Sequence, residues 1–378
     1  MGLGVARAEI KAVPEASIDF QHNSNIFAVP AGDPLLIAQG DLTRADTIST
    51  YQAGVAVNGA WGLQKLTAKL EGREIRYNHY SDLNHSEYTG DVDFHWSLGQ
   101  LFEGNFDIRR DHRMAVFMNR ESTTLEVDTS QDETANVNFK ISSDFRLEAG
   151  YSNHDTKTPL QGFADAEIEE NTERLAFRYT GVRNLSYGIE VSRLNGEFKD
   201  SVNPSKYKQD NAGLVFGYGT MGSISQLSGS VGYSRREYDG SNADSSGITG
   251  SIAYERQVTA KTGIKAELRR AINIYVVGGG TETDTSASLG ATWAATSLIT
   301  VAANTTYIHA AYGPQSAGVA QEAGRSDDYT QVNLSVGYQV LRWLSLRPYG
   351  RYETRHSNRE NFGFNGTIVG IELRGQYQ

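Results

Sequence analysis

Asp91, Asp93 and His95 hold the chemistry most readily assigned to this chain. They recur at every second position, so in an extended strand all three project from one face. Two carboxylates and an imidazole can bind a metal ion, or divide general-acid and general-base work between them. If the chain reverses at Gly99 so that Leu98 pairs with Phe102, Asp107 and Arg109 come opposite Asp93 and Asp91 on the same face. The competing reading is electrostatic: a strand face that meets water along its whole length carries charges of both signs, which pair across strands. The electrostatic reading is the stronger of the two, because the same strands are apolar on their other face.

Tyr88, Gly90, Val92, Phe94, Trp96 and Leu98 alternate with Thr89, Asp91, Asp93, His95 and Ser97. Past Gly99, Phe102, Gly104, Phe106 and Ile108 alternate with Glu103, Asn105, Asp107 and Arg109. A period of two over runs this long predicts a hairpin with one apolar and one polar side. Aromatic residues near the ends of the apolar side suit a wall between lipid and water better than the core of a sandwich.

The same pattern fills the chain. Ala16, Ile18 and Phe20 open it, then Tyr51, Ala53, Val55 and Val57, and Leu66, Ala68 and Leu70. Near Gly72 the phase breaks, and a bulge there would let Ile75 and Tyr77 continue the apolar side. Later runs include Leu175, Phe177 and Tyr179; Leu214, Phe216 and Tyr218; Ile248, Ile252 and Tyr254; and Val332, Leu334, Val336 and Tyr338. The fold class expected is all-β, a single antiparallel transmembrane β-barrel of about 18 strands, with 16 to 18 as the range. Residues 9–378 form the barrel. Residues 1–8 read as the tail of a signal peptide, since Ala6-Arg7-Ala8 has the form of a cleavage site.

Composition agrees with that class. Hydrophobic residues make up 39% of 378 and the mean hydropathy is −0.46, so no helical span is expected, whereas a barrel hides its apolar residues at alternate positions. Tyr 20, Phe 14 and Gly 39 stand against Pro 7 and Cys 0. Without cysteine there are no disulfides, thiolate metal sites or c-type haem attachment. A net charge of −10 argues against nucleic acid as a partner. No cofactor is expected: Gly278-Gly279-Gly280 lacks the lysine and helix of a phosphate loop, and reads as a hairpin tip.

Short turns at Gly62, Gly99, Ser142-Ser143, Arg183-Asn184, Met221-Gly222, Lys261, Thr296 and Arg342 alternate with longer polar links at residues 24–45, 156–170, 199–206, 239–245 and 311–327. Short turns belong in the periplasm and long links outside the cell. Pore-lining candidates on the polar phase are Asp91, Asp93, His95, Glu103, Asp107, Arg109, Arg146, Arg174, Arg178, Arg269, Arg347 and Arg351. Their mixture of signs predicts a water-filled lumen with no dominant charge. Tyr349 and His95 have the surfaces to stack on sugar rings, or to pack against neighbours. In the first long link, Asn25, Phe27, Pro30, Leu35 and Leu36 make a candidate plug, because an apolar run is out of place in a segment waving in water.

Three stretches carry a resemblance: His22-Asn23-Ser24-Asn25-Ile26-Phe27 with Pro30, Arg44-Ala45-Asp46-Thr47-Ile48, and residues 77–98. They resemble the EpsL family of exopolysaccharide-operon outer-membrane proteins, part of the type 2 beta-barrel porin group, most strongly over residues 17–110. Asn23 stands where that family often has aspartate, and Gln378 departs from the aromatic ending common in outer-membrane barrels. The resemblance implies a cell outer membrane location and a passive pore exporting exopolysaccharide. The partners implied are outer-membrane lipid, the polysaccharide cargo, a periplasmic polysaccharide-export lipoprotein and the barrel assembly machinery. The alternatives are a diffusion porin for small solutes and a barrel enzyme acting on lipid or polymer; the reading adopted is not an enzyme.

Overall fold

The computed structural model of the chain describes residues 9–377 except 39, 41–42, 116, 118–122, 159–165, 200–204, 220–223, 240–243, 276–279 and 314–323. The expected signal remnant at residues 1–8, the turn at Met221-Gly222, Gly278 and Gly279, Gln378, and the side chains of Leu35 and Ala38 lie outside the described residues.

Eighteen strands follow in order: β1 (Glu9–Asn23), β2 (Asp46–Trp61), β3 (Gln64–Tyr77), β4 (His85–Leu98), β5 (Phe102–Met114), β6 (Val127–Lys140), β7 (Phe145–Thr158), β8 (Ala166–Val182), β9 (Leu185–Phe198), β10 (Ser205–Tyr218), β11 (Ser225–Tyr238), β12 (Ser245–Thr259), β13 (Thr262–Tyr275), β14 (Gly280–Ala294), β15 (Ile299–Tyr312), β16 (Ser326–Leu341), β17 (Leu344–Ser357) and β18 (Phe364–Gln376). Each is antiparallel to the next, and β1 also pairs with β18, which closes the sheet into a barrel. Closure removes the open row of backbone amides that lipid cannot satisfy. No helix among the described residues is long and apolar enough to cross a membrane. The strands have to make the crossing.

Register follows the alternation. Leu98 pairs with Phe102, so Asp93 faces Asp107 and Asp91 faces Arg109. Gly62 has φ +63° in the two-residue turn between Trp61 and Gln64, a left-handed conformation that glycine adopts without steric cost. The outward phase is apolar and exposed, including Val92, Leu175, Ile189, Leu214, Ile252 and Leu334. So much exposed apolar surface is foreign to a soluble monomer. Stacked rings ring the short-turn end: Trp61 on Phe94 at 5.8 Å, Phe102 on Phe139 at 4.8 Å and Phe145 on Phe177 at 5.4 Å. A second belt of exposed tyrosines, Tyr51, Tyr88, Tyr151, Tyr233, Tyr307 and Tyr352, lies toward the long links. On β4 the belts are marked by Trp96 and Tyr88, and that length of tilted strand spans about 20 Å of height, close to the apolar band of an outer-membrane barrel.

The bulge expected near Gly72 is absent. β3 runs in unbroken register against both β2 and β4. Ile75 and Tyr77 therefore take the inward phase, with Lys69, Glu71 and Arg73. They are apolar because something packs on them from inside the barrel. Register shifts occur instead beside short turns, at Tyr179/Val182, Gln257/Thr259 and Gln339/Leu341.

Turns and links sort to opposite ends as expected, but the links are shorter than the sequence suggests. β7 reaches Thr158 and β8 starts at Ala166, so the expected link 156–170 shrinks to residues 159–165. Likewise β15 and β16 shorten 311–327 to residues 313–325. The strands outrun the lipid zone there. Glu167, Glu169, Asn171 and Glu173 occupy the outward phase of β8, and with both faces wet the alternation that marks a strand disappears. The link 24–45 keeps its expected bounds and contains a short helix, α1 (Pro34–Ala38). Residues 115–126, between β5 and β6, form a further link that the sequence pattern did not mark.

Candidate functional site

The inward phase places every expected lining residue on the lumen face: Asp91, Asp93 and His95 on β4, Glu103, Asp107 and Arg109 on β5, Arg146 on β7, Arg174 and Arg178 on β8, Arg269 on β13, and Arg347 and Arg351 on β17. Their partners stand on neighbouring strands, or two strands away for Arg146 and Glu103. Lys140 and Arg146 reach Glu103 at 3.2 and 3.6 Å. Arg178 meets Glu148 at 2.9 Å, and Arg174 bridges Glu148 and Glu190. Arg347 holds Glu372 at 2.6 Å, and Arg351 donates to Asn333 at 2.9 Å.

Small residues let such networks form. Glu15 on β1 pairs with Lys69 on β3 at 3.3 Å across β2, and Lys69 also meets Glu71 at 2.8 Å. The strand between presents Gly54, where a Cβ would stand 2.7 Å from the Leu70 carbonyl oxygen and 3.0 Å from Glu71 Cγ. Tyr349 lies over Gly370 in the same manner. Its hydroxyl donates to Asp19 at 2.8 Å and Gln21 at 3.0 Å, so the ring is packed on the wall.

The row Asp91, Asp93 and His95 does not converge. Side chains two apart on a strand are roughly 7 Å apart, too far to share one metal ion. Among the described residues no group of three or more His, Asp or Glu is arranged to hold a metal. Nor does Asp91 use the arginine opposite it, because Arg109 turns to Asp111 at 2.6 Å.

The expectation of no dominant sign needs correction. On β4 to β6 the inward carboxylates are Glu87, Asp91 and Asp93, then Glu103, Asp107 and Asp111, then Asp128 and Asp132. Only Arg109, Arg113 and Lys140 oppose them. Elsewhere on the inner wall acids and bases nearly balance, and β16 to β18 lean basic through Arg347, Arg351, Arg355 and Arg374. Summed around the whole ring, the two signs conceal this segregation. Segregation appears only once the register places strands side by side.

At the long-link end, the described part of residues 24–45 folds onto the inside of the wall. Ser24 continues the pairing with Thr367 on β18 at 2.9 Å. Asn25 is buried; its Nδ2 donates to the carbonyls of Val29 at 2.8 Å and Asn365 at 2.9 Å, and its Oδ1 accepts from the Val29 amide at 3.3 Å. Arg44 donates to the Val29 carbonyl at 2.8 Å, and its own carbonyl accepts from the Ile26 amide at 2.8 Å. These bonds drive Phe27, 1% exposed, into a cluster with Val29, Leu36, Ile48, Tyr77, Leu83 and Phe117. Tyr80 and Phe117 meet its ring edge-on at 4.8 and 5.1 Å. Asp46 fixes the next link, accepting from the amides of Thr47 at 2.6 Å and of His79 and Tyr80 at 2.9 Å. The Tyr80 hydroxyl donates to the Thr43 carbonyl.

Of the plug candidates, Asn25, Phe27 and Leu36 enter this rim, and Pro30 is half-buried beside it. Leu35 contributes a backbone position in α1. Ile48, Ile75 and Tyr77 were missed. All three are apolar residues in a polar phase, and the expected bulge assigned Ile75 and Tyr77 to the outer face.

A family model described as "Putative beta-barrel porin 2" matches residues 12–377. No curated protein matches the chain. Among solved structures, the outer membrane protein opdK from Pseudomonas aeruginosa is similar at 12% identity with a TM-score of 0.51, covering 97% of this chain and 99% of that one. OpdK from the same organism solved with vanillate is similar at 11% identity, again with a TM-score of 0.51 and coverage of 97% and 99%. The FrpB iron transporter from Neisseria meningitidis gives 9% identity and a TM-score of 0.48, covering 96% of this chain and 81% of that one.

Proposed function

The chain belongs to the family described as "Putative beta-barrel porin 2", an outer-membrane, porin-like barrel, and from that premise we propose that it is a passive, non-enzymatic aqueous conduit through which exopolysaccharide leaves the cell. One observation carries the polysaccharide reading. The stretches that resemble the EpsL family, residues 22–30, 44–48 and 77–98, are far apart in sequence, yet the first two and the start of the third build one buried rim around Phe27 at one mouth of the barrel, and the rest of the third runs down the adjoining wall as β4. A sequence signature gathered on one mouth and the wall strand beneath it points to what passes there. The wall below suits a moving chain, because charges that are mostly engaged with one another, and too widely spaced to chelate where they are not, offer many weak contacts and no deep well. Directionality comes from polymer synthesis and from a periplasmic export lipoprotein; outer-membrane lipid and the barrel assembly machinery complete the partners.

Clean deletion of the gene tests this reading. Surface polysaccharide is expected to fall sharply while polymer accumulates in the periplasm, with recovery on complementation. Unchanged surface polymer would remove the export reading and leave a diffusion porin for small solutes, which the segregated lumen charge also suits.

A further inference from the structure

We infer that the lumen conducts cations in preference to anions, and that the inner faces of β4 to β6 set this preference. The inference rests on the barrel being an open conduit. Its first support is the pairing of neighbours. Lys69 stands in register with Asp91 but is engaged by Glu15 at 3.3 Å and Glu71 at 2.8 Å. Arg109 stands on its other side but is engaged by Asp111 at 2.6 Å. Asp93 meets Asp107, a second carboxylate, in register. The two basic side chains in register with Asp91 are thus committed elsewhere, and Asp91, Asp93 and Asp107 pair with no basic side chain among the described residues.

The second support lies across the lumen. In a ring of 18 strands, β4 to β6 stand opposite β13 to β15. There the inward positions are largely hydroxyls and amides: Ser286, Ser288 and Thr292 on β14, and Thr300, Asn304 and Thr306 on β15. On β13 Lys265 is held by Glu255 at 2.6 Å, and the inward Arg269 is outnumbered by the inward Glu267 on its own strand and Asp284 and Glu282 on β14. No basic wall answers the acidic one across the gap. Within a low-dielectric barrel such an excess focuses the field in the water it encloses and concentrates counter-ions. The strip acts through this field and not as a chelating site, since its side chains are too widely spaced. For export, the cargo that fits is uncharged or basic along its backbone, and polyanions are repelled.

Purified barrel in a planar bilayer under a potassium chloride gradient reads the preference as a reversal potential. A several-fold permeability ratio for potassium over chloride is expected, weakening as ionic strength rises because screening shortens to about 3 Å at 1 M. The triple variant Asp91→Asn, Asp93→Asn, Asp107→Asn should lose at least half of that ratio, and Asp→Glu at the same positions should keep it. Neutral dextran should occlude the current, and dextran sulfate of equal size should not. Anion preference in the wild type, or a ratio unmoved in folded triple variant, overturns the inference while conductance persists. A folded barrel that conducts nothing overturns the open-conduit reading and the inference with it.

Discussion

Phe27→Ala is expected to release the rim segment while leaving the barrel closed. Truncating a phenylalanine buried to 1% costs roughly 3–5 kcal/mol, and here the loss falls on a cluster of loop and inner-wall residues, not on the ladder between strands. Residues 24–45 are then held mainly by the hydrogen bonds of Asn25 and Arg44. With the long links outside, as the loop asymmetry predicts, protease added to intact cells should cut within this segment in the variant and spare the wild type. The heat-modifiable band of the folded barrel should remain, and large hydrophilic antibiotics should enter more readily. Loss of the folded band would show that the cluster supports the whole barrel; unchanged cleavage and permeability would show that it guards nothing.

The rim also shows what the sequence could and could not convey. Alternation made the hairpin of β4 and β5 legible to the residue, since one glycine turn fixed Leu98 against Phe102 and every later pair followed. The same rule failed at Ile75 and Tyr77. It assumes that inward means polar, and a folded-in loop reverses that locally. It failed again on β8, where Glu167 to Glu173 stand outward above the lipid and a strand looks like a loop. Which residues share the inward face was legible, because phase alone assigns a residue to one side of the sheet. Which of them pair, and that the unanswered ones gather on β4 to β6, depends on neighbours up to three strands apart and is not written in any one stretch.

Val92→Arg is expected to deplete the folded barrel in the membrane. Val92 is on the outward phase of β4, between the aromatic belts marked by Tyr88 and Trp96. An arginine near the midplane of the bilayer costs roughly 2–4 kcal/mol. Thr89→Arg, on the inward phase of the same strand, meets water and the Asp111 carboxylate that its hydroxyl now contacts at 2.8 Å. On a gel run without boiling, the Val92 variant should show little heat-resistant barrel and the Thr89 variant close to the wild-type amount. Ile252→Arg and Val336→Arg should behave as Val92→Arg does. Equal losses on both faces would break the assigned phase of the strand.

The central claim is that the polar face encloses open water. The chain has no cysteine of its own, so one cysteine at a time reports on one face. Asn304 on β15 and Leu334 on β16 belong to adjacent strands and opposite phases. With the purified barrel conducting in a bilayer, a bulky, charged, membrane-impermeant thiol reagent should lower the single-channel current of Asn304→Cys stepwise and leave that of Leu334→Cys unchanged. Block at Leu334→Cys with none at Asn304→Cys, or a barrel that passes no current before the reagent is added, would contradict the account.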